Sequence, residues 1–193
     1  MKVVFGGSFN PITQAHLMVA QSIVNNVENV SKVIFVPVGD KYPKKGLISS
    51  EHRLNMLKLA IEDNSDFEIN TYEVDADKRL YTIETLDYIK SLYPNEEIAL
   101  LIGADKIHEI GRWKQSKRLM DEYKILSIGR DSIDINKLIK DLNYNKDTFI
   151  TFDAVDCNIS STLIRNNIKN NKSINYLTDK KVVEYIKSNK LYI

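Results

Sequence analysis

A hydroxyl and an imidazole stand three residues apart near the start of the chain. Thr13 and His16 follow two adjacent glycines, Gly6 and Gly7, which themselves follow the apolar run at 1–5. Residues three apart on a helix share one face, so both side chains can point back toward the glycines. Both groups can donate a hydrogen bond to a phosphoryl oxygen. The spacing indicates a phosphate site, although a capping threonine beside a solvated histidine would give the same pattern.

The elements that position these two side chains are predicted to be a strand, a glycine turn (residues 6–13) and a helix. The run at 1–5 is typical of a buried strand, and apolar residues recur at helical spacing from Leu17 to Val27. Glycine lets the backbone approach a ligand closely because it has no Cβ. The start of the helix adds free amide groups and the positive end of its dipole. This geometry suits the phosphate of a nucleotide.

A second set of hydroxyls lies near the other end of the chain. Ser160, Ser161 and Thr162 stand where a helix is predicted to begin, with Arg165 three residues after Thr162. Hydroxyls at a helix start put side-chain donors beside free backbone amides. The guanidinium lies one turn on and can bind the same phosphate. A capped helix with a surface arginine is the alternative.

Further apolar runs predict the fold. Strands are predicted at 32–37, 67–74, 97–105, 123–130 and 147–152, with helical patterns between them. Two strands joined by a helix form a parallel, right-handed βαβ unit. We therefore expect an α/β fold, Rossmann-like and doubly wound, in which a mostly parallel sheet carries helices on both faces. A small helical part is expected to follow at the C-terminus, with an amphipathic closing helix.

The composition limits the classes of protein to which the chain can belong. Its 193 residues are expected to form one domain over 1–193, with a C-terminal helical subregion at about 160–193. Basic and acidic residues nearly cancel, 27 against 26, so no nucleic acid or membrane surface is expected as a partner. No apolar run approaches the ~20 residues of a membrane span. Residues 1–5 are expected to be a core strand rather than part of a signal peptide.

A single cysteine, Cys157, excludes a disulfide within the chain and favours a reducing compartment, the cytoplasm. Sheets covered by helices often self-associate, so a homo-oligomer stays open. The loop at 38–48 contains Lys41, Lys44 and Lys45. A solvated basic turn is its default interpretation, but it follows a strand end where ligands bind in open α/β sheets.

Two strings carry a family resemblance. Gly7-Ser8-Phe9-Asn10-Pro11-x-Thr13-x-x-His16 resembles the signature of the nucleotidyltransferases with the (H/T)xxH turn, and most closely that of the nicotinate or nicotinamide mononucleotide adenylyltransferases. The string at 159–165, Ile-Ser-Ser-Thr-x-Ile-Arg, resembles a second motif of the same family. The resemblance covers essentially the whole chain. It implies adenylyl transfer from ATP to a pyridine mononucleotide in NAD biosynthesis. Mg²⁺ is expected to arrive on the ATP phosphates, because the sequence shows no dedicated metal site.

The resemblance also implies roles for individual residues. Catalytic roles are implied for His16, Thr13, Lys45 and Arg165. ATP contacts are implied for Gly7, Ser8, Phe9, Gly103, Asp105, Ser160, Ser161, Thr162 and Ile164. Mononucleotide contacts are implied for Asn10, Tyr42, Lys44, Thr82, Thr85, Trp113 and Arg130. Thr82 falls where eukaryotic-type enzymes place a stacking tryptophan, which leaves Tyr81 as a candidate replacement.

Several alternatives stay open. Another nucleotidyltransferase, such as pantetheine-phosphate adenylyltransferase, also uses threonine at the position of Thr13, although Trp113 argues against it. A nucleotide-sensing module without activity would keep the pocket, but the intact set of Thr13, His16 and Arg165 argues against that. The choice between nicotinate and nicotinamide is also open, because the glycine turn resembles eukaryotic enzymes and the C-terminal tail resembles bacterial ones.

Overall fold

The computed structural model describes residues 1–129, 135–153 and 157–193, and these contain a six-stranded, entirely parallel sheet. The order of the strands is β3-β2-β1-β4-β5-β6. Their bounds are β1 Lys2–Gly7, β2 Lys32–Pro37, β3 Phe67–Ile69, β4 Ile98–Gly103, β5 Lys124–Gly129 and β6 Phe149–Asp153. In the register of the central strands, Lys2 lies opposite Lys32 on one side and Ile98 on the other.

Helices connect consecutive strands and follow the last one. Their bounds are α1 Gln14–Asn26, α2 Ser50–Ile61, α3 Tyr72–Asp75, α4 Thr82–Leu92, α5 Ile107–Ile110, α6 Ser116–Glu122, α7 Ile135–Asp141, α8 Ser161–Lys169 and α9 Lys180–Ser188. Short 3₁₀ turns span Ala104–Lys106 and Lys146–Thr148. None of the helices in the described ranges has the length and apolar character that a membrane span requires.

Side chains of the strands alternate between two cores, one on each face of the sheet. Val3 and Leu101 belong to one core, while Val4 and Leu100 belong to the other. The first core is covered by α1, α2, α8 and α9, and the second by α4, α5, α6 and α7. Strands buried on both faces are expected to be continuously apolar, as these runs are. The predicted Rossmann-like sheet with helices on both faces is confirmed.

One predicted strand, 67–74, is wrong beyond Ile69. The side chain of Asn70 accepts a hydrogen bond from the Tyr72 amide at 3.0 Å. The hydroxyl of Thr71 donates to the Asp75 carboxylate at 2.6 Å. Short polar side chains that bond to nearby groups offer the backbone an alternative to a sheet ladder. The chain therefore turns into α3 although its apolar residues alternate.

The order of the strands places the switch in winding direction between β1 and β4. The helix after β1 packs on one face and the helices after β4 pack on the other. The loops that leave the carboxyl ends of these two strands therefore diverge and open a crevice. In open α/β sheets, ligands bind at this point.

Candidate active site

A cleft of about 840 Å³ opens at the carboxyl ends of β1 and β4. The glycine turn, the loop after β2, the start of α4 and the segments before α6 and α8 all contribute to its walls. Of the residues predicted from the sequence, the cleft is lined by Gly7, Ser8, His16, Tyr42, Lys44, Thr82, Thr85, Gly103, Trp113, Ser160 and Ser161. The sheet thus brings together segments from the beginning, middle and end of the chain.

His16 is held in one orientation by the cap of α1. The amide of Thr13 donates to Nδ1 of His16 at 3.0 Å, and the Thr13 hydroxyl lies 2.7 Å from the same atom. The Thr13 hydroxyl also accepts from the His16 amide at 3.3 Å. An atom that accepts from a backbone amide carries no proton, so the neutral ring has its proton on Nε2. His16 can therefore donate from Nε2 to a ligand in the cleft.

Burial, together with the nearby charge of Lys44, lowers the pKa of His16 to about 4. The imidazole is therefore neutral at pH 7 and acts as a hydrogen-bond donor rather than as a cation. Phe9 packs its ring edge against this imidazole, with ring centres 5.3 Å apart. The Phe9 side chain is itself buried. It supports His16 from the core instead of lining the cleft.

The start of α8 is bonded directly to the glycine turn. The Ser161 hydroxyl donates to the Pro11 carbonyl at 2.7 Å, and Arg165 donates from Nη1 to the Asn10 carbonyl at 2.8 Å. Arg165 also donates from Nη2 to the Thr162 hydroxyl at 3.0 Å. The two strings that are predicted to bind phosphate thus lie side by side.

Two residues of the second string hold α8 in place. Ser160 caps α8 by accepting from the Leu163 amide at 3.1 Å, and it also lines the cleft. Ile164 is fully buried in the core beneath the helix. Its backbone remains near the site, but its side chain anchors α8 to the sheet.

Of the two adjacent lysines in the loop after β2, Lys44 reaches the cleft. Its Nζ lies 3.0 Å from the Ser8 hydroxyl. Burial lowers the pKa of Lys44, and the charges of Arg165 and Arg53 lower it further. Both lysines are exposed, but Lys45 is not among the residues that line the cleft. Of the two, the lysine that lines the cleft is therefore Lys44.

Asn10 is buried and uses its side chain inside the protein. Its amide nitrogen donates to the Gly46 carbonyl at 2.9 Å. Its amide oxygen accepts from the Tyr192 hydroxyl at 3.0 Å and from the Ile48 amide at 3.5 Å. Asn10, for which the resemblance implies a contact with the mononucleotide, thus joins the glycine turn, the loop at 38–48 and the C-terminal residues.

A buried arginine that the sequence analysis did not assign to the site completes this framework. Arg53 has no exposed surface, and its guanidinium donates to the carbonyls of Ser8 at 2.9 Å and Val38 at 2.7 Å. Its Nε donates to the Ile48 carbonyl at 3.1 Å, and Asp40 lies 3.5 Å away. The available signal was its position four residues before Leu57, on the buried side of α2.

The other wall of the cleft is formed around α4. The Thr85 hydroxyl donates to the Glu73 carboxylate at 2.7 Å. Burial raises the pKa of Glu73, and this hydrogen bond opposes the rise. Trp113 and Thr82 line the same cleft.

Asp105 and Gly103, both expected to contact ATP, lie differently with respect to the cleft. The Asp105 side chain is 72% exposed and does not line the cleft. Gly103 does line it, and a Cβ at this glycine would lie 2.5 Å from the Asp105 carboxylate. Arg130 lies outside the described residues.

A family model described as cytidylyltransferase-like matches residues 4–167, which is most of the chain. The chain belongs to the cytidylyltransferase-like family. Curated relatives place this cytidylyltransferase-like chain among the nicotinate-nucleotide adenylyltransferases. A Caldicellulosiruptor bescii protein named "Probable nicotinate-nucleotide adenylyltransferase" is 39% identical over 100% of this chain and 99% of its own length. A Clostridium acetobutylicum protein of the same name is 31% identical over 100% of this chain and 98% of its own length.

A solved structure agrees with these relatives. The nicotinic acid mononucleotide adenylyltransferase of Plasmodium falciparum, in complex with NaAD, aligns with a TM-score of 0.79. The identity is 25%, and the alignment covers 99% of this chain and 96% of the other. The family identified from the two sequence strings is confirmed, and the cytidylyltransferase-like chain is an adenylyltransferase.

Proposed function

We propose that this adenylyltransferase transfers the adenylyl group of ATP to nicotinate mononucleotide, with release of pyrophosphate. Full-length relatives at 39% and 31% identity carry that activity in their names. The Plasmodium falciparum protein was solved with NaAD. The observation that carries the proposal is the joining of α8 to the glycine turn, which puts Arg165 near Lys44 and places Ser160 and Ser161 in the cleft that His16 also lines.

The reaction needs no nucleophilic side chain. An oxygen of the mononucleotide phosphate attacks the α-phosphorus of ATP, and the bond from that phosphorus to the bridging oxygen breaks. Pyrophosphate leaves with the electron pair of that bond. The attacking oxygen is already anionic, so the protein contributes positioning and stabilisation of negative charge.

The groups near the glycine turn have different roles in positioning the phosphates and stabilising their charge. His16 donates from Nε2 to a phosphoryl oxygen as charge builds on it, and stays neutral because burial lowers its pKa. Lys44 and Arg165 offset the negative charge of the triphosphate. Ser160 and Ser161 stand at the start of α8, where free backbone amides and hydroxyls suit a phosphate.

ATP enters this scheme as its magnesium complex. Among residues 1–129, 135–153 and 157–193, no cluster of three His, Cys, Asp or Glu side chains could hold a metal ion. We therefore treat Mg²⁺ as part of the substrate. A reducing compartment suits the free Cys157, and we propose the cytoplasm as the site of the reaction.

A pyrophosphate-release assay tests the proposal. Purified protein is mixed with MgATP and nicotinate mononucleotide, and in parallel with MgATP and phosphopantetheine. We expect release with the pyridine substrate and a loss of about 10²–10³-fold in the His16→Ala variant. The exposed His108 supplies the matched control, His108→Ala. Turnover of phosphopantetheine alone, or normal turnover by His16→Ala, would contradict the proposal.

A further inference from the structure

A cluster of two cations and two aromatic rings forms the rim of the cleft on the α4 side. The guanidinium carbon of Arg79 lies 5.1 Å from the ring centre of Tyr81 and 5.8 Å from that of Tyr42. The Nζ of Lys114 lies 4.2 Å from the ring centre of Tyr81. All four residues line the cleft. We call Tyr42, Arg79, Tyr81 and Lys114 the rim cluster.

The positive charge of the rim cluster is poorly compensated by the protein. Within the part of the chain that the structure describes, Arg79 has no carboxylate at ion-pair distance. Lys114 has Glu84 at 3.6 Å, and that carboxylate also lies 4.0 Å from Lys78. Glu73, which lines the same wall, already accepts a hydrogen bond from the Thr85 hydroxyl. A ligand with a negative group would therefore complete the charge balance of this rim.

The phosphates of the two substrates are accounted for elsewhere. The groups proposed to bind them are His16 of α1, Arg165 of α8 and Lys44 of the loop after β2, and the charge of Arg165 acts on Lys44. The rim cluster is therefore available to the base end of a nucleotide. Its aromatic rings offer flat surfaces for a planar ring, as Trp113 does beside it.

The two candidate pyridine rings differ in charge. The ring of nicotinamide mononucleotide carries a positive charge and a neutral amide, whereas the nicotinate ring adds a carboxylate to the same positive ring. Two cations at the rim attract that carboxylate, and a guanidinium can bind it through paired N–H groups. They repel a pyridinium that carries no carboxylate.

We infer that Arg79 and Lys114 are specificity-determining residues that bind the carboxylate of the nicotinate ring and disfavour nicotinamide mononucleotide. This inference rests on the proposed function and assigns its substrate selection to residues of the rim. The part of the cleft that Gly103 and Ile159 line is left for the uncharged adenine.

Steady-state kinetics with both pyridine mononucleotides tests the assignment. The ratio of kcat/KM for nicotinate over nicotinamide mononucleotide is measured for the wild type, Arg79→Gln and Lys114→Gln. We expect the ratio to fall about tenfold in each variant, mainly through KM for nicotinate mononucleotide. Lys78→Gln removes the same charge from the neighbouring residue, which does not line the cleft, and is expected to leave the ratio within about twofold.

The outcomes separate this inference from the proposed function. A wild type that adenylylates neither mononucleotide overturns the proposed function, and the inference with it. An active wild type with an unchanged ratio in both variants overturns the inference alone. A rise in KM for ATP at constant ratio would place Arg79 on the triphosphate and would also overturn it.

Discussion

Arg165 donates a hydrogen bond to the backbone carbonyl of Asn10 at 2.8 Å, across 155 positions of the sequence. Ser161 makes a parallel contact with the Pro11 carbonyl at 2.7 Å. These bonds fix the start of α8 against the glycine turn. We therefore expect a phosphate bound beside His16 to meet donors from both ends of the chain, and the following predictions depend on that convergence.

The two neighbouring lysines are predicted to differ in importance. Lys44→Ala removes the cation that lies 3.0 Å from the Ser8 hydroxyl in the cleft, and we expect kcat/KM for ATP to fall about 100-fold. Lys45→Ala removes an exposed cation, and we expect a change within about twofold. The pyrophosphate-release assay measures both. The family resemblance assigns the role to Lys45, so a larger loss in Lys45→Ala would contradict the structural assignment.

The stability of the protein is predicted to depend on pH through His16. Burial lowers its pKa to about 4 from an ordinary value of 6.5, so between these pH values the unfolded chain binds a proton that the native protein excludes. Stability from this group is complete above pH 6.5 and falls as the pH falls. The loss by pH 4 amounts to about 3 kcal/mol.

Urea unfolding of the wild type and His16→Gln over this pH range checks the prediction. The variant lacks the titrating group and is expected to lose less stability on acidification. His108→Gln alters an exposed histidine and is expected to follow the wild type. Parallel curves for the wild type and His16→Gln would show that His16 is not buried in its neutral form.

Arg53 is predicted to be essential for holding the cleft together. Arg53→Met leaves the carbonyls of Ser8, Val38 and Ile48 without their donor, and we expect a loss of about 3 kcal/mol or more in the free energy of unfolding. Arg53→Lys retains the charge, but its single nitrogen cannot reach all three carbonyls, so an intermediate loss is expected.

Lys58→Met changes an exposed residue of the same helix and serves as the control for Arg53, with an expected change within about 0.5 kcal/mol. Chemical denaturation gives all three values. Equal stability of Arg53→Met and Lys58→Met would rule out the bridging role of Arg53.

The C-terminus is predicted to support the lysine loop. The Tyr192 hydroxyl donates to the Asn10 amide oxygen, and Tyr192 holds a left-handed φ of 65°, which a tyrosine adopts only at a cost. Tyr192→Phe removes that bond and is expected to cost about 1 kcal/mol of stability. We also expect KM for ATP to rise, because Asn10 contacts both Gly46 and Ile48.

Tyr176→Phe is the matched control for Tyr192→Phe, since Tyr176 is 90% exposed. Thermal unfolding and ATP-dependent kinetics measure the two effects. A Tyr192→Phe protein with wild-type stability and wild-type KM would mean that the hydroxyl contributes nothing to the loop.

The fold could be predicted from the sequence because the apolar pattern of each strand and helix lies within a short stretch of the chain. The run at 32–37 is apolar throughout and corresponds to β2, Lys32–Pro37. The prediction of a strand over 67–74 was wrong beyond Ile69 because side-chain hydrogen bonds of Asn70 and Thr71 favour a helical turn there, although the apolar residues alternate. Periodicity reports burial, and it does not report such competing polar contacts.

The site was harder to predict from the sequence because the residues that hold it in place bond to groups far away in the chain. The role of Arg53 depends on carbonyls of the glycine turn and of both ends of the loop at 38–48, and that of Asn10 on a tyrosine 182 positions away. Which of Lys44 and Lys45 faces the cleft depends on the conformation of a loop, which a string of residue letters does not specify.

The central claim is that the glycine turn and α8 form one triphosphate site. The most direct measurement is a crystal structure with a non-hydrolysable ATP analogue, in which the distances from phosphoryl oxygens to His16 Nε2 and to the Arg165 guanidinium are compared. We expect both groups to lie within about 3.2 Å of oxygens of the same triphosphate. A triphosphate that contacts one of them while the other is separated from it by intervening protein would contradict the account.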